Sequence, residues 1–280
     1  MARVKGGDFL HYAVIGGGMR FAHLAQMLNE EGSSACGFFH EKAGGADRDM
    51  RDIGKYSLIV SNWPMRFPLS DREISPEEIM ANIEPGSVLL LCGPKFPREK
   101  RWDLQYVNLW SDETLLQENA FLTAQGAVAS ALKRKNIPLN GAKCAIIGYG
   151  RIGRSLCEIL LGAGADVTVL SRTENKRKLA QECGADAQDL KNAAKILAHQ
   201  TYIFSTPPEN VLDENMLSSI YNGALLMDLA SPPYGFDLET AQNMGINACR
   251  EPGLPDRYCP ISAARALYHA IRRWERVNHG

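Results

Sequence analysis

Short apolar runs recur along the chain, and stretches with apolar residues three and four apart lie between them. In the first part the runs fall at 12–15, 35–39, 57–60, 88–92 and 107–110. Phe21, Leu24, Ala25 and Leu28 have helical spacing, as does the stretch 74–83. Runs of four or five apolar residues suit strands buried on both faces, and the three-to-four spacing suits crossover helices. The pattern therefore predicts βαβ units around a parallel sheet. It restarts in the second part, with strand candidates at 144–147, 166–170, 202–204, 224–227 and 245–248.

Between the two parts, Leu115, Leu116, Asn119, Leu122, Thr123, Gly126, Ala127 and Ser130 recur at helical spacing. This predicts one long helix over 112–136 that stops before Pro138, because the residue preceding a proline is pushed out of helical geometry. A final helix is expected over 261–277, with Ile261, Ala264, Leu267, Tyr268, Ile271 and Trp274 as its apolar stripe. Arg265, Arg272, Arg273 and Arg276 lie elsewhere around it and read as a solvated face. The expected class is α/β: two Rossmann-like or flavodoxin-like, doubly wound parallel-sheet domains joined by long crossing helices. The first, flavodoxin-like, spans 1–115 and takes back the C-terminal helix 261–280. The second, Rossmann-like, spans 116–260.

A length of 280 residues fits two such domains. Against 31 basic side chains stand 32 acidic ones, a net charge of −1, which excludes a general nucleic-acid binder. No apolar run approaches the ~20 residues that span a bilayer, and the N-terminus lacks a signal-peptide stretch, so a cytoplasmic protein is expected. Seven cysteines without a Cys-x-x-Cys pair and six scattered histidines predict neither disulfides nor a metal site.

The strongest chemical signal is Gly148-Tyr149-Gly150-Arg151-Ile152-Gly153, which follows an apolar strand and opens a helical pattern. In that context G-x-G-x-x-G permits a tight turn, close approach of a pyrophosphate to backbone N–H groups, and close packing of helix on strand. The next strand selects the dinucleotide. A free ribose 2′-hydroxyl usually meets Asp or Glu there, whereas this chain has Ser171-Arg172-Thr173, with Lys176 one turn on. Hydroxyl, guanidinium and ammonium groups favour a 2′-phosphate, so NADP is expected over NAD, with 116–260 the NADP-binding Rossmann domain and 1–115 the substrate domain. Three proline-stiffened loops follow later strands: Ser205-Thr206-Pro207-Pro208, Asp228-Leu229-Ala230-Ser231-Pro232-Pro233 and Glu251-Pro252-Gly253-Leu254-Pro255. Each is expected to border the nicotinamide of the cofactor. Asp228 is a candidate catalytic carboxylate, and equally an acceptor for the turn that follows it. In the first part, Gly16-Gly17-Gly18-Met19-Arg20 also joins a strand to a helix but lacks the third glycine, since position 21 is Phe. Gly18 and Arg20 there read either as an anion site for a substrate carboxylate or as a plain turn.

The residues 226–231, 245–248 and Glu251-Pro252-Gly253-Leu254-Pro255 resemble the A subunit of bacterial dipicolinate synthase. The resemblance extends back through the 148–153 fingerprint, 140–143 and 118–126, and it covers most of 112–270. It implies a two-domain NAD(P) enzyme that oxidises dihydrodipicolinate, drawn from the lysine and diaminopimelate pathway, to pyridine-2,6-dicarboxylate, the spore acid. It also implies a small dicarboxylate as substrate and partnership with a flavoprotein-like B subunit; a homo-oligomer is expected as well. Substrate contacts are expected at Gly18, Arg20, Asn119, Thr123, Arg257 and Ser262, with Arg257 a second catalytic candidate. The chain departs from the family pattern in two places. Pro232 stands where the family has an arginine, and Ile261 where it has a lysine; Arg257 and Tyr258 lie just upstream of the second.

Two other readings stay open. A 2-hydroxyacid-dehydrogenase-like oxidoreductase needs a histidine base, and no histidine lies between His199 and His269. A nucleotide-binding subunit without chemistry of its own fits the lack of an obvious proton-transfer pair.

Overall fold

A computed structural model describes residues 10–16, 18–38, 49–65, 67–68, 73–93 and 95–279. Gly17, Phe39 and the N-terminal stretch 1–9 lie outside the described residues. The chain forms two compact units, Met1–Asn119 with Cys259–Gly280, and Ala120–Tyr258.

The first unit runs β1 (His11–Ile15), α1 (Met19–Glu30), β2 (Ser34–Phe38), β3 (Leu58–Asn62), β4 (Phe67–Pro68), β5 (Glu73–Ile74), α2 (Pro76–Ala81), β6 (Val88–Cys92) and β7 (Gln105–Asn108). Its main sheet is parallel, in the order β2-β1-β3-β6-β7. Counted within the sheet this is 2-1-3-4-5, the flavodoxin-like winding. Alternation along β1 explains the two covered faces. Tyr12 and Val14 join a cluster with Leu24, Leu28, Leu267 and Ile271, whereas Ala13 and Ile15 join one with Phe38, Ile79 and Leu89. Two buried faces explain the unbroken apolar strands.

Some boundaries move. The strand read at 107–110 is β7, at 105–108, because the Asn108 side chain accepts from Trp110 N at 3.0 Å and turns 109–111 into a 3₁₀ helix. The helical stretch 74–83 contracts to α2, whose start is set by a reciprocal cap: Glu78 N donates to Ser75 Oγ (3.2 Å), and Ser75 N to Glu78 Oε2 (2.8 Å).

The long helix is α3 (Glu113–Lys135), which begins in the first unit and ends in the second. The second unit continues with β8 (Lys143–Ile147), α4 (Arg151–Gly162), β9 (Asp166–Leu170), α5 (Glu174–Glu182), β10 (Asp186–Gln188), α6 (Ala193–Leu197), β11 (Tyr202–Ser205), α7 (Glu214–Ser218), β12 (Leu225–Asp228), α8 (Leu238–Asn243), β13 (Asn247–Arg250) and α9 (Leu254–Tyr258). The six strands are parallel in the order β10-β9-β8-β11-β12-β13. Within the sheet this is 3-2-1-4-5-6, the Rossmann winding. Again the strands are two-faced: Cys144 and Ile146 pack with Ala127, Leu156 and Leu160, while Ala145 and Ile147 pack with Leu197, Leu217 and Ala241. The strand read at 245–248 is displaced to β13, at 247–250. Gly245, at φ +78°, is still in the turn after α8.

The last helix, α10 (Pro260–His279), returns to the first unit and packs along α1 through Leu267 and Ile271. Its arginines are not a plain solvated face. Arg273 Nε donates to Asp112 Oδ2 (2.7 Å), while Asp112 Oδ1 caps α3 by accepting from Leu115 N (3.0 Å). Arg272 donates to Tyr268 Oη (2.9 Å), Glu275 Oε2 (2.8 Å) and Ser33 Oγ (3.1 Å). An apolar-stripe reading is blind to such contacts, because long side chains reach partners beyond their own face. Among the described residues, no helix is long and apolar enough to cross a membrane.

Glu275 is buried, and burial pushes its carboxyl up to about 7 despite the Arg272 contact; its Oε1 has no hydrogen-bond partner among the described residues. Between the ordinary 4.5 and about 7, the folded chain keeps a proton that the unfolded chain has released. Stability is therefore expected to fall as pH rises through that window and to level off above it. At 1.36 kcal/mol per pH unit across that span, the fall is about 3 kcal/mol. Urea unfolding across the window should show this slope in the parent chain and lose it in Glu275→Gln. A parent profile as flat as that of the variant would contradict the burial argument.

Candidate functional site

The glycine-rich turn joins β8 to α4. Gly148 sits at φ +85° and donates its N–H to Leu170 O at 2.9 Å, which ties the turn to β9. A Cβ at Gly153 would stand 2.4 Å from Gly148 O, so only glycine lets the first turn of α4 lie on the loop. At Gly150 an added Cβ meets nothing within 4 Å, so that side of the turn is open. Gly150 is also the N-cap of α4, with no side-chain cap and no acidic residue in the first turn. With no carboxylate or capping side chain there, the positive end of the helix dipole is not neutralised from within α4, an arrangement that suits an anion. Arg151 is exposed at that first turn, and Ile152 is half-buried. An open side, a close helix approach and a helix N-terminus without a side-chain cap fit the pyrophosphate of a dinucleotide.

The loop after β9 offers cations beside this turn. Ser171 is buried, and its Oγ accepts from Thr173 N at 3.3 Å, shaping the turn into α5. Arg172, Thr173 and Lys176 are exposed. Arg177, which the sequence reading did not single out, turns inward and donates to Ser171 O (2.7 Å) and Asp189 Oδ2 (2.9 Å). Arg172 forms an ion pair with Glu209. Glu209 too was not singled out, because it comes from the loop after β11, 37 positions away.

Thr206 and Pro207, from that same loop, lie directly on the glycine turn. Thr206 Oγ1 donates to Ile147 O at 2.9 Å, and a Cβ at Gly148 would come within 2.7 Å of the Thr206 Oγ1. Ser205, just before them, is fully buried. Asp228 ends β12, also fully buried, and holds the next loop: Ala230 N donates to Oδ1 (3.0 Å) and Gly235 N to Oδ2 (3.1 Å). Arg250 Nε lies 3.5 Å from Oδ2, and its guanidinium covers the Tyr234 ring at 3.5 Å. Burial raises the Asp228 carboxyl, and the two N–H bonds and Arg250 pull the other way. Both oxygens of Asp228 are thus engaged by its own loop and by Arg250. Leu229 N donates to Ser205 O at 2.9 Å, joining the two loops, with Ala230 following half-buried.

Arg257 lies on α9, where its guanidinium meets Glu251. Glu251 is almost wholly buried and also accepts from Arg134 and from Ser130 Oγ (3.0 Å). Burial alone would raise its carboxyl, but these hydrogen bonds hold it below the ordinary range. Thr123 is buried on α3. In the first unit, Gly18 is the N-cap of α1 without a side-chain cap, and Arg20 Nη1 reaches Asn119 Oδ1 at 3.4 Å. Ser262 is exposed near the start of α10.

Loops leaving the C-terminal edge of a 3-2-1-4-5-6 sheet, with this glycine turn, define a dehydrogenase-type NAD(P)-binding domain. A family model described as Shikimate / quinate 5-dehydrogenase matches residues 130–246. The resemblance read from the motifs holds: the chain is 28% identical over 170 residues to the A subunit of dipicolinate synthase from Bacillus subtilis (strain 168). That match covers 60% of this chain and spans only 56% of the relative's length. The crystal structure of the dipicolinate synthase A subunit from Bacillus halodurans aligns over 95% of this chain and 97% of that one, with a TM-score of 0.79 and 23% identity. Salmonella D-lactate dehydrogenase aligns over 97% of this chain and 98% of its own, with a TM-score of 0.60 and 13% identity. The two structural matches show a shared fold.

Proposed function

We propose that this chain is an NADP-dependent oxidoreductase that converts dihydrodipicolinate to pyridine-2,6-dicarboxylate, acting as the A subunit of a dipicolinate synthase. The observation that carries the cofactor half is the uncapped, open glycine turn with Arg172 and Lys176 exposed on the neighbouring loop. The substrate half rests on the likeness to the dipicolinate synthase A subunit. A bound NADP⁺ would supply the oxidising power, taking up the hydride lost as the ring is aromatised, while the accompanying proton leaves to solvent. The chain's own residues bind and orient. Gly148, Gly150 and Gly153, with Arg151 and Ile152, hold the pyrophosphate, while Ser171, Arg172, Thr173 and Lys176 hold the 2′-phosphate. Thr206, Pro207, Leu229 and Ala230 border the cofactor, with Ser205 and Asp228 fixing their loops from beneath. Arg20, held by Asn119 beside Gly18, is assigned a substrate carboxylate. Thr123, Ser262 and Arg257 complete the proposed substrate contacts, with Arg257 positioned by Glu251. The proposed partners are a second copy of the chain and a flavoprotein-like B subunit.

Arg172→Ala is expected to weaken NADPH by about 1.5 kcal/mol, the low end for a charge-assisted bond because the side chain is exposed, and to leave NADH nearly unchanged. Calorimetric titration of both cofactors checks it. Equal losses for the two would remove the 2′-phosphate assignment.

A further inference from the structure

We propose that Glu209 is a specificity-determining residue that sets the balance between NADPH and NADH by holding Arg172. The inference rests on Arg172 being the 2′-phosphate ligand. β9 and β11 are the two neighbours of β8 in the sheet, so the Arg172–Glu209 pair reaches across the strand that carries the glycine turn. The carboxylate is delivered by an anchored loop, since Thr206 and Pro207, three and two residues upstream, pack on Gly148.

Spacing along β9 finds no carboxylate for a ribose hydroxyl, yet the fold brings one in from the next crossover. A 2′-phosphate must take Arg172 away from Glu209 and stand beside a like charge. A 2′-hydroxyl needs neither, and it can donate to the Glu209 carboxylate. The other charged groups of this edge do not replace the pair. Arg177 is turned onto Ser171 O and Asp189, and Lys178 is paired with Glu174 at 2.9 Å, so Lys176 is the remaining exposed cation of α5 near the loop. Glu209 thus restrains the NADP preference that Arg172 creates.

The test is calorimetric titration of NADPH and NADH into the parent chain, Glu209→Gln, Arg172→Ala and the double variant. Glu209 and Arg172 are both exposed, so the variants keep the fold. Glu209→Gln should tighten NADPH about five- to tenfold, combining release of a surface ion pair with loss of one like-charge contact, and leave NADH unchanged or weaker. In the Arg172→Ala background the same substitution should change NADPH no more than about twofold, because its main effect passes through the guanidinium. If Arg172→Ala weakens NADPH but Glu209→Gln leaves the ratio of the two affinities within about twofold, the Glu209 proposal is overturned and the phosphate assignment survives. If Arg172→Ala moves neither cofactor, both fall.

Discussion

Gly153→Ala is expected to lose both stability and cofactor binding, whereas Gly150→Ala should lose binding alone. A methyl at 153 would stand 2.4 Å from the Gly148 carbonyl oxygen, a backbone atom that cannot swing aside as a side-chain tip does. Either α4 lifts off the turn or the turn is pushed outward. Overpacking of this kind costs about 1–3 kcal/mol. The displaced turn would also lose at least two N–H contacts to a pyrophosphate, about 3 kcal/mol or a hundredfold in affinity. At Gly150 the added methyl meets no protein atom within 4 Å, and the backbone there is extended at φ −88°. Stability should therefore stay within about 0.5 kcal/mol of the parent. The methyl instead occupies the open side that the proposed pyrophosphate site needs. Thermal unfolding and NADPH titration of the two variants check the contrast. Equal binding by parent chain and Gly150→Ala would place the dinucleotide elsewhere.

Asp228→Ala should be among the most destabilising single changes in the second unit, at about 3 kcal/mol. The substitution strands a buried donor, Gly235 N, and a half-buried one, Ala230 N, and leaves Arg250 without its carboxylate. The stack of Arg250 on Tyr234 and its partial exposure keep the cost below the upper range for a broken buried pair. Gly235 cannot compensate by shifting inward, since even a Cβ there would stand 2.1 Å from Ser205 Oγ. Asp228→Asn retains the shape and one acceptor oxygen and should cost about half as much. Urea unfolding measures both. The pair also separates two roles. If Asp228 only holds its loop, Asp228→Asn keeps turnover in proportion to its retained cofactor binding. If it takes a proton from substrate, turnover disappears while binding stays.

The two parallel-sheet units were legible because the pattern that marks their strands is local. Each strand alternates between two buried faces, as Cys144, Ala145, Ile146 and Ile147 do, and such strands register as short apolar runs. The glycine fingerprint was legible for a similar reason, since turn, helix start and close approach are all encoded within six consecutive residues. β10 left no trace, because in Asp186–Gln188 only Ala187 is buried. The displaced start of β13 reflects a turn glycine, Gly245, preceding an apolar Ile246 that packs in the core without belonging to the strand. What the sequence could not convey were partners brought together from distant positions. Arg172 with Glu209, Arg257 and Arg134 with Glu251, and Arg273 with Asp112 each pair residues from different elements. No spacing rule along one element reveals them, and they decide which cations are exposed to a ligand.

The most direct test of the account is single-turnover conversion by the purified chain. Freshly generated dihydrodipicolinate is mixed with the protein and either NADP⁺ or NAD⁺, and reduced cofactor and pyridine-2,6-dicarboxylate are quantified together. The measurement is repeated in the presence of the flavoprotein-like partner. The account predicts equal amounts of NADPH and pyridine-2,6-dicarboxylate, formed faster than in protein-free solution, with NADP⁺ preferred to NAD⁺ and the preference lost in Arg172→Ala. Formation of the pyridine at the protein-free rate, with and without that partner and with no reduced cofactor, would contradict it.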